Sequence, residues 1–443
     1  MSARFPEGLA EILPMTAAIS ADGHLTIGGC DTVELAREFG TPLYVYDEAH
    51  LRDRCGQYRD SFAAEAESAR VIFAGKSFCT LAMCRLVAEE GLYLDVASGG
   101  ELATALAAGF PAERIYFHGN NKSESEICEA LVADVGRIVI DSFEELARVA
   151  HLAREHGVRP RVLLRITPGI EAHTHEFIRT GQLDSKFGFG VEDGVAARAI
   201  KTAAEEPAVE LVGVHAHIGS QIFLLHSYAK AVDVMIDFLA ETKANLGVDL
   251  AELNLGGGLG IAYTADDTPE TIAGYASTIV GEARRHAAER GIAEPMVAVE
   301  PGRSITGNAA VTLYEVGTIK EVPGIRTYVA VDGGMSDNLR PMLYGAQYEA
   351  LTANRAHEER TREVTIAGKH CESGDVLIKD ARLGAGLAVG DIIATPATGA
   401  YGWVMSNNYN AVPRPAVVFV ADGRARVVVH RESYDDLLRN QEP

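Results

Sequence analysis

The sequence has few cysteines, an excess of acidic over basic residues, and no pair of closely spaced cysteines. Its six cysteines are Cys30, Cys55, Cys79, Cys84, Cys128 and Cys371. The absence of CxxC pairs argues against a disulfide framework or a zinc site and favours reduced thiols in a cytosol. The formal net charge of -22 argues against a nucleic-acid-binding surface, because neutralising phosphates requires clustered lysine and arginine.

Targeting and membrane segments are also missing. The N-terminus MSARFPEGLAEILP has no basic start followed by an apolar stretch, and no run approaches the roughly 20 apolar residues of a membrane span. The sequence therefore predicts a soluble, cytoplasmic protein without a membrane partner. At 443 residues the chain exceeds what one hydrophobic core usually organises, so it predicts two domains.

Short apolar runs alternate with helical stretches between Arg70 and Arg303. The eight candidate strands are RVIFAG from Arg70, LYLDVAS from Leu92, RIYFHG from Arg114, RIVIDS from Arg137, RVLLRITP from Arg161, LVGVHAHIGS from Leu211, ELNLGGG from Glu252 and MVAVEPGR from Met296. Polar and glycine-rich residues follow nearly all of them, as the catalytic face of a barrel requires. We predict an α/β fold, a (β/α)8 TIM-type barrel over residues 47–309; an open doubly wound sheet is the alternative.

After about Val311 the sequence pattern changes: β-branched runs alternate, and few stretches have helical periodicity. The N-terminal segment contains HLTIGG and PLYVYD, two strand-like runs that could pair with this region. We therefore predict a second, mainly β domain, a β-sandwich or Greek-key barrel, formed by residues 1–46 together with 310–443.

Lys76 stands just past the first apolar run, in FAGKSF. On the barrel interpretation its amine emerges at the mouth, where catalytic groups collect. Taken alone, it would be interpreted as a solvated surface lysine.

Two loops near the end of the barrel have the composition of a phosphate site. NLGGGLG follows the seventh run and EPGRSI ends the eighth, and barrels commonly bind phosphate with these two loops. Because glycines lack Cβ, Gly256, Gly257 and Gly258 can bring backbone N–H groups close to a phosphate. In isolation GGG is more often a tight turn.

Glu300 and His217 are candidates for contact with an aromatic cofactor. Glu300 could hold a protonated pyridine nitrogen and keep the ring an electron sink, although an ion pair with Arg303 explains it equally well. His217 could lie flat against the ring and Ser220 could donate to phosphate, but a histidine at a core position is usually structural.

The C-terminal half carries two further polar segments. In CESGD, acidic neighbours would keep the Cys371 thiol protonated and able to donate a proton, while Glu372 could attract a substrate ammonium. DGGMSDNLRPMLYG places Arg340 and Tyr344 in one turn-rich segment, a pairing suited to binding a carboxylate. An ordinary polar loop is the alternative for the second segment.

These motifs together resemble one enzyme family. FAGKSF, LDVASGGEL, HGNNK, HAHIGSQI, GGGLG, EPGRSI, DGGMSDNLRPMLY, CESGD and GAYGWVMSNNYN occur in the order seen in diaminopimelate decarboxylases, from roughly Gly40 to Pro415. HGNNK, the DGGM segment and CESGD are the signals specific to that family within the wider alanine-racemase-like group of fold type III decarboxylases.

The resemblance implies pyridoxal 5'-phosphate as cofactor, joined to Lys76 as a Schiff base. The residues it assigns to cofactor binding are Lys76, Asp95, His217, Ser220, Gly257, Gly258, Glu300, Gly302, Arg303 and Tyr401. It assigns Arg303, Arg340 and Tyr344 to the distal carboxylate of the substrate and Glu372 to its distal ammonium, with Tyr401 also near the substrate. No metal is implied.

The resemblance further implies a homodimer whose active sites are shared across the interface. Cys371, Glu372 and Tyr401 would come from the partner chain. The implied reaction is decarboxylation of meso-2,6-diaminopimelate to L-lysine and CO2, the last step of lysine biosynthesis, with Cys371 as general acid.

Three rival functions fit parts of the pattern. A related decarboxylase of ornithine, arginine or carboxynorspermidine would keep Lys76 and Glu300 but need a different distal pocket, whereas Arg303 with Arg340 favours a substrate with a second carboxylate. An alanine racemase is disfavoured by Glu300, because racemases of the resembled group pair the pyridine nitrogen with arginine. A catalytically silent cofactor-binding homologue is disfavoured by Cys371.

Overall fold

The computed structural model describes residues 4–170, 186–192 and 194–443. The chain divides into two compact units. The barrel unit comprises Arg54–Gly260 and Pro269–Gly302, and the β unit comprises Met1–Asp53, Ile261–Thr268 and Arg303–Pro443.

The chain begins with three short strands, a helix, a longer strand and a second helix. These elements are β1 (Ala18–Ile19), β2 (Leu25–Ile27), β3 (Cys30–Asp31), α1 (Thr32–Phe39), β4 (Leu43–Asp47) and α2 (Glu48–Glu65). Strands β1, β2 and β3 form a small antiparallel sheet of their own. Helix α1 begins at the Asp31 side chain, which accepts hydrogen bonds from the backbone N–H groups of Val33 and Glu34.

Strands and helices then alternate through the barrel unit. The strands are β5 (Arg70–Ala74), β6 (Tyr93–Val96), β7 (Ile115–Phe117), β8 (Arg137–Ile140), β9 (Arg161–Thr167), β10 (Phe189–Gly190), β11 (Glu210–His215), β12 (Glu252–Asn254) and β13 (Met296–Val299). The helices are α3 (Leu81–Glu89), α4 (Gly99–Ala107), α5 (Glu124–Val132), α6 (Phe143–His156), α7 (Val195–Glu205), α8 (Leu225–Leu246) and α9 (Ile272–Arg290).

Eight parallel strands close into a barrel. They pair in the order β9, β11, β12, β13, β5, β6, β7, β8, and β8 pairs again with β9, while the short β10 adds to β9. Side chains from five strands fill the interior: Ile72, Tyr116, Val139, Leu163 and Ala298. All eight predicted runs are strands of this barrel, so the barrel is confirmed over an open sheet.

Local sequence signals set the ends of the surrounding helices. Thr80, Ser98 and Ser142 each accept a hydrogen bond from a backbone N–H in the first turn of α3, α4 and α6. Gly157 and Gly247 end α6 and α8 in the left-handed conformation that glycine adopts without strain. The first three caps fix where α3, α4 and α6 begin, and the two glycines fix where α6 and α8 end.

The described part of the β unit continues with strands and three short helices. Its C-terminal elements are α10 (Arg303–Thr306), β14 (Ala310–Val322), β15 (Arg326–Val331), α11 (Arg340–Tyr344), β16 (Leu351–Thr352), β17 (Arg362–Ala367), β18 (Val376–Leu383), β19 (Ile392–Pro396), β20 (Ala416–Ala421), β21 (Arg424–Val429) and α12 (Tyr434–Leu438). The main sheet runs β18, β17, β15, β14, β4, β20, β21, and β19 also pairs with β14 and β16.

Both chain ends contribute to this sheet. Strand β4, from the predicted run PLYVYD, lies between β14 and β20, antiparallel to the first and parallel to the second. Its residues Leu43 and Val45 enter one of the two hydrophobic cores of the unit, and the second core contains Tyr314 and Val329. The mainly β second domain is therefore confirmed. The run HLTIGG instead joins the small sheet of β1, β2 and β3.

Among the described residues, every helix is too short or too polar to cross a bilayer.

Candidate active site

Lys76 is presented at the carboxyl end of the first barrel strand. Strand β5 ends at Ala74, and Gly75–Ser77 form one 3-10 turn that leaves Lys76 exposed. The buried Ser77 hydroxyl donates to the carbonyl oxygen of Ala74 at 2.7 Å. A Cβ on Gly75 would lie 2.5 Å from the carbonyl oxygen of Asp95, so the turn requires glycine where it packs against β6.

Asp95 is a buried acid close enough to Lys76 to interact with it electrostatically. Burial raises the pKa of Asp95 to about 7; the Glu300 carboxylate raises this pKa further, and His118 and Lys76 oppose the rise. Its Oδ1 atom has no hydrogen-bond partner in the part of the chain that the structure describes. Asp95 can therefore carry a proton near neutral pH, close to Lys76.

The three glycines after β12 allow several backbone segments to approach closely. A Cβ on Gly256 would lie 2.6 Å from Nδ1 of His217, and one on Gly258 would lie 2.3 Å from the carbonyl oxygen of Gly219. A Cβ on Gly257 would lie 2.0 Å from the carbonyl oxygen of Glu300. The loop therefore packs directly against the loops that follow β11 and β13, and its backbone is available as an anion cradle.

Two other predicted cofactor residues lie next to these contacts. Ser220 is half-buried and directly follows Gly219. A Cβ on Gly302 would lie 2.9 Å from both Cβ of Ala74 and Oγ of Ser77. Gly302 therefore packs on the turn that carries Lys76.

Glu300 is the centre of a buried polar cluster. Its Oε1 accepts a hydrogen bond from Nδ2 of Asn254 at 2.7 Å, and its Oε2 lies 3.1 Å from Nε2 of His215. Nε2 of His118 lies 2.8 Å from the same Oε1 atom. This contact is close enough for an ion pair but does not meet the geometry of a hydrogen bond. The rings of His118 and His215 meet edge to face with centroids 4.8 Å apart.

The charge states in this cluster follow from its contacts. Burial lowers the pKa of His215 to about 4, although Glu300 opposes the fall, so His215 is neutral near pH 7. Burial alone would raise the pKa of Glu300, but His118 and His215 hold it well below its ordinary value. An ionised Glu300 requires His215 to donate from Nε2, which leaves its Nδ1 as the acceptor that has no partner among described residues.

His217 is half-buried beside the glycine loop. Its Nδ1 accepts a hydrogen bond from the backbone N–H of Gly257 at 3.3 Å. Burial lowers the pKa of His217 well below its ordinary value, and the positive charges of Lys76 and Arg165 lower it further. His217 is therefore a neutral ring held by the loop that follows β12.

The HGNNK segment is anchored by Lys122 at its end and contacts Glu300 through His118 at its start. The Lys122 ammonium is buried and donates to Oε1 of Glu145 at 2.6 Å and to the carbonyl oxygens of Gly119 and Val139 at 2.8 and 2.7 Å. These bonds hold the loop to β8 and α6. His118, at the start of the same segment, is thereby positioned against Glu300.

The residues of the barrel unit fit pyridoxal phosphate. A glycine cradle suits its phosphate, a buried carboxylate suits its pyridine nitrogen, and an exposed lysine suits its aldehyde. His118, His215 and Glu300 could also hold a metal ion, since their ligand atoms lie within 4.8 Å of one another. The positive charge of Arg165 acts on His215, and those of Lys76 and Arg165 act on the neighbouring His217, so the electrostatic field better suits a ligand that carries its own negative charge.

A second polar cluster, which we call the arginine cluster, lies in the β unit. It comprises Tyr263, Arg303, Arg340, Tyr348 and Tyr401. Both arginines are buried. Arg303 donates from Nη1 to the Tyr263 hydroxyl, and Arg340 donates from Nη1 to the Tyr348 hydroxyl. Arg340 has no carboxylate within salt-bridge distance among the residues described, so the cluster offers positive charge to an anion.

Tyr401 and Tyr344 are the two tyrosines predicted to contact the ligand. Tyr401 lies beside Arg303 of the same chain, with its ring centroid 4.9 Å from the guanidinium carbon. The expectation that Tyr401 comes from a partner chain stays a prediction, and this position beside Arg303 favours a role in its own chain. Tyr344 is half-exposed at the end of α11, and the phenol bonded to Arg340 is Tyr348.

Cys371 and Glu372 lie in an exposed loop that three segments hold in place. The backbone N–H of Cys371 donates to Oδ1 of Asn410 at 2.9 Å. The Asp375 carboxylate accepts from the backbone N–H groups of Met335 and His370 at 2.7 and 2.9 Å. The DGGM, CESGD and MSNNYN motifs therefore meet at one place, where the Cys371 thiol is accessible.

Several residues of these clusters are not among the sequence predictions. They are His118, Arg165, His215, Asn254, Tyr263 and Tyr348. The first four stand at or next to the carboxyl ends of barrel strands, so their position is a usable signal. Tyr263 and Tyr348 carry no local signal, because their role depends on arginines distant in sequence.

Comparison with known proteins gives one consistent result. Residues 48–307 match the pyridoxal-binding domain of pyridoxal-dependent decarboxylases. A diaminopimelate decarboxylase of Bacillus subtilis (strain 168) is 51% identical over 424 residues, 96% of each chain. The diaminopimelate decarboxylase of M. jannaschii, also solved with L-lysine, has a TM-score of 0.90 at 36% identity and covers 97% of this chain and 98% of its own. That of Helicobacter pylori in complex with L-lysine has a TM-score of 0.83 at 31% identity, over 92% and 98%.

Proposed function

Because the chain belongs to the diaminopimelate decarboxylases, within the pyridoxal-dependent decarboxylases, we propose that Lys76 and Cys371 carry its chemistry. The enzyme is a pyridoxal-phosphate-dependent carboxy-lyase that converts meso-2,6-diaminopimelate to L-lysine and CO2. This is the last step of lysine biosynthesis. The assignment of individual residues rests on the geometry of the barrel and β units.

Lys76 is the residue that holds the cofactor, and the groups around it set its orientation. When bound, pyridoxal phosphate supplies a sink for the electron pair left at Cα as CO2 departs. The glycine loop with Gly257 and Gly258, together with Gly302 and Ser220, would hold the phosphate; the N–H of Gly257, which donates to His217 in the cofactor-free chain, would have to turn to the phosphate to take part. The Glu300 carboxylate would accept a hydrogen bond from the protonated pyridine nitrogen, and the neutral His217 ring would support the cofactor ring.

The observation that best supports this assignment is the buried, ionised Glu300. Its carboxylate is held by Asn254 and His215, so it remains an anion in a site where burial alone would protonate it. An anion there stabilises a positive charge on the pyridine nitrogen. That charge is what makes the ring an effective electron sink.

Arg303 and Arg340 bind the carboxylate that the substrate keeps. A guanidinium pairs with a carboxylate through two parallel hydrogen bonds, and each guanidinium carries five N–H donors, of which Tyr263 and Tyr348 each accept one. Tyr344 and Tyr401 complete this subsite. The exposed Glu372 carboxylate accepts the distal ammonium.

Cys371 protonates Cα after CO2 has left. The bond from Cα to the departing carboxylate breaks, its electron pair remains on Cα, and the thiol proton then forms the new C–H bond. The resulting thiolate regains a proton from solvent.

We also propose a homodimer in which Cys371 and Glu372 of one chain serve the Lys76 site of the other. Free cysteines are among the most buried residues, yet Cys371 and its neighbour Glu372 are exposed in the single chain. A partner subunit would cover them. Tyr401, in contrast, acts beside Arg303 of its own chain.

A substrate panel with one pair of variants tests the proposed function. CO2 release would be measured from meso-diaminopimelate, ornithine, arginine and lysine, with expected release from meso-diaminopimelate alone. Arg340→Met should lower kcat/KM for meso-diaminopimelate by about 100-fold, because a buried charged hydrogen-bond donor is lost. The control is Arg326→Met, which removes an exposed arginine that also lies over a tyrosine ring and should leave kcat/KM unchanged. Preference for another amino acid, or equal effects of the two variants, would contradict the assignment.

A further inference from the structure

Tyr263 contacts both arginines of the arginine cluster through different surfaces. Its hydroxyl accepts the hydrogen bond from Nη1 of Arg303. Its ring face lies under the guanidinium of Arg340, whose carbon is 4.7 Å from the ring centroid. One buried side chain therefore sets the orientation of two guanidinium groups that are distant in sequence.

Tyr348 provides a contrast within the same cluster. Its ring meets that of Tyr263 edge to face at 5.3 Å, and its hydroxyl bonds to Arg340. Burial raises the pKa of Tyr348 to about 12, although Arg340 opposes the rise. For Tyr263, Arg303 and Arg340 outweigh the effect of burial and lower the pKa, which indicates that Tyr263 interacts with both cations.

A phenol has an advantage over a carboxylate at this position. A carboxylate between the arginines would orient them but would also cancel one positive charge. A neutral phenol oxygen accepts a hydrogen bond without neutralising either guanidinium group. The cluster is thus ordered before a carboxylate arrives.

The backbone around Tyr263 is fixed by its own hydrogen bonds. The N–H groups of Tyr263 and Thr264 donate to Oδ2 of Asp267 at 2.9 and 3.0 Å. The carbonyl oxygen of Ala262 accepts from Nδ2 of Asn308 at 2.8 Å. The ring therefore cannot follow the arginines, and the arginines are held by the ring.

We propose that Tyr263 is a positioning residue that determines specificity for the carboxylate the substrate retains. It acts through Arg303 and Arg340, and this inference rests on the proposed function of those arginines. Loss of the hydroxyl removes one hydrogen bond that orients Arg303, while the ring face of phenylalanine still supports Arg340. The effect should therefore fall on ligands that carry this carboxylate and spare those that lack it.

The test compares Tyr263→Phe with the wild-type holoenzyme on two ligands. L-Lysine keeps the carboxylate in question, and cadaverine has the same carbon chain and two amines but no carboxylate. Dissociation constants would be measured by calorimetry, and KM and kcat with meso-diaminopimelate. The control is Tyr275→Phe, which removes a buried hydroxyl that has no hydrogen-bond partner in the described part of the chain.

We expect Tyr263→Phe to weaken L-lysine binding and raise KM by about tenfold, because a hydrogen bond to a charged group is lost. Cadaverine binding and kcat should change by less than about twofold, and Tyr275→Phe should match the wild type. The inference is overturned if Tyr263→Phe binds L-lysine normally, if it weakens cadaverine equally, or if kcat falls at unchanged KM. A wild-type enzyme that neither binds L-lysine nor releases CO2 from meso-diaminopimelate would refute the proposed function itself, and this inference with it.

Discussion

Replacing Gly257 with alanine tests the glycine cradle directly. The new Cβ would lie 2.0 Å from the carbonyl oxygen of Glu300, whereas ordinary contacts begin at 3.4 Å. The loop after β12 and the end of β13 must therefore separate by more than about 1 Å in a close-packed interior. Overpacking of this kind costs about 1–3 kcal/mol of the free energy of unfolding.

The same displacement should weaken cofactor binding, because the loop N–H groups lose their alignment with the phosphate. We expect at least a tenfold weaker affinity for pyridoxal phosphate, about the effect of losing 1.4 kcal/mol. The assays are thermal unfolding of the cofactor-free protein and titration of cofactor absorbance. Gly281→Ala is the matched control, since its Cβ meets nothing within 4 Å in α9 and should stabilise the helix by up to about 1 kcal/mol. The reasoning is refuted if Gly257→Ala unfolds and binds cofactor like the wild type.

Three further predictions follow from the site. Glu300→Gln should retain cofactor but lower kcat by about 100-fold or more, because an amide cannot offset the charge of the pyridine nitrogen; normal single-turnover rates would contradict this. Mixing Lys76→Ala with Cys371→Ala, each inactive alone, should restore about a quarter of wild-type activity if the dimer shares its sites, since half the dimers then hold one intact site of two; no recovery in verified hybrids would refute the sharing. The pKa of Asp95 is raised from 3.8 to about 7, so folding favours its protonated form, and stability of the cofactor-free enzyme should fall as pH rises through that range; Asp95→Asn should remove this slope, and an unchanged slope would contradict it.

The barrel could be predicted because each of its strands carries a local signal. A run such as RVIFAG is apolar on both faces, as a strand buried in a parallel barrel must be, and a serine or threonine cap follows several of these runs. Strand β4 was harder to assign, because its short run PLYVYD pairs with β14 and β20, which lie far away in the sequence. Its partner strands are set by tertiary packing rather than by local pattern.

The polar clusters could be predicted only in part. Glu300 and His217 were recognisable from their motifs, but the anionic state of Glu300 depends on His118, His215 and Asn254, which converge only when the barrel closes. The partners of Arg303 and Arg340 are likewise phenols from other segments. A motif identifies the charged group, whereas its pKa and orientation come from neighbours that sequence order does not reveal.

The attachment of the cofactor to Lys76 is tested most directly by locating the cofactor on the chain. The holoenzyme would be reduced with borohydride, digested, and its peptides mapped by mass spectrometry, with meso-diaminopimelate turnover measured on the same preparation before reduction. We expect a pyridoxyl group on Lys76 alone, in an enzyme that releases CO2 and L-lysine. A label on another lysine, or turnover that persists in Lys76→Ala, would contradict it.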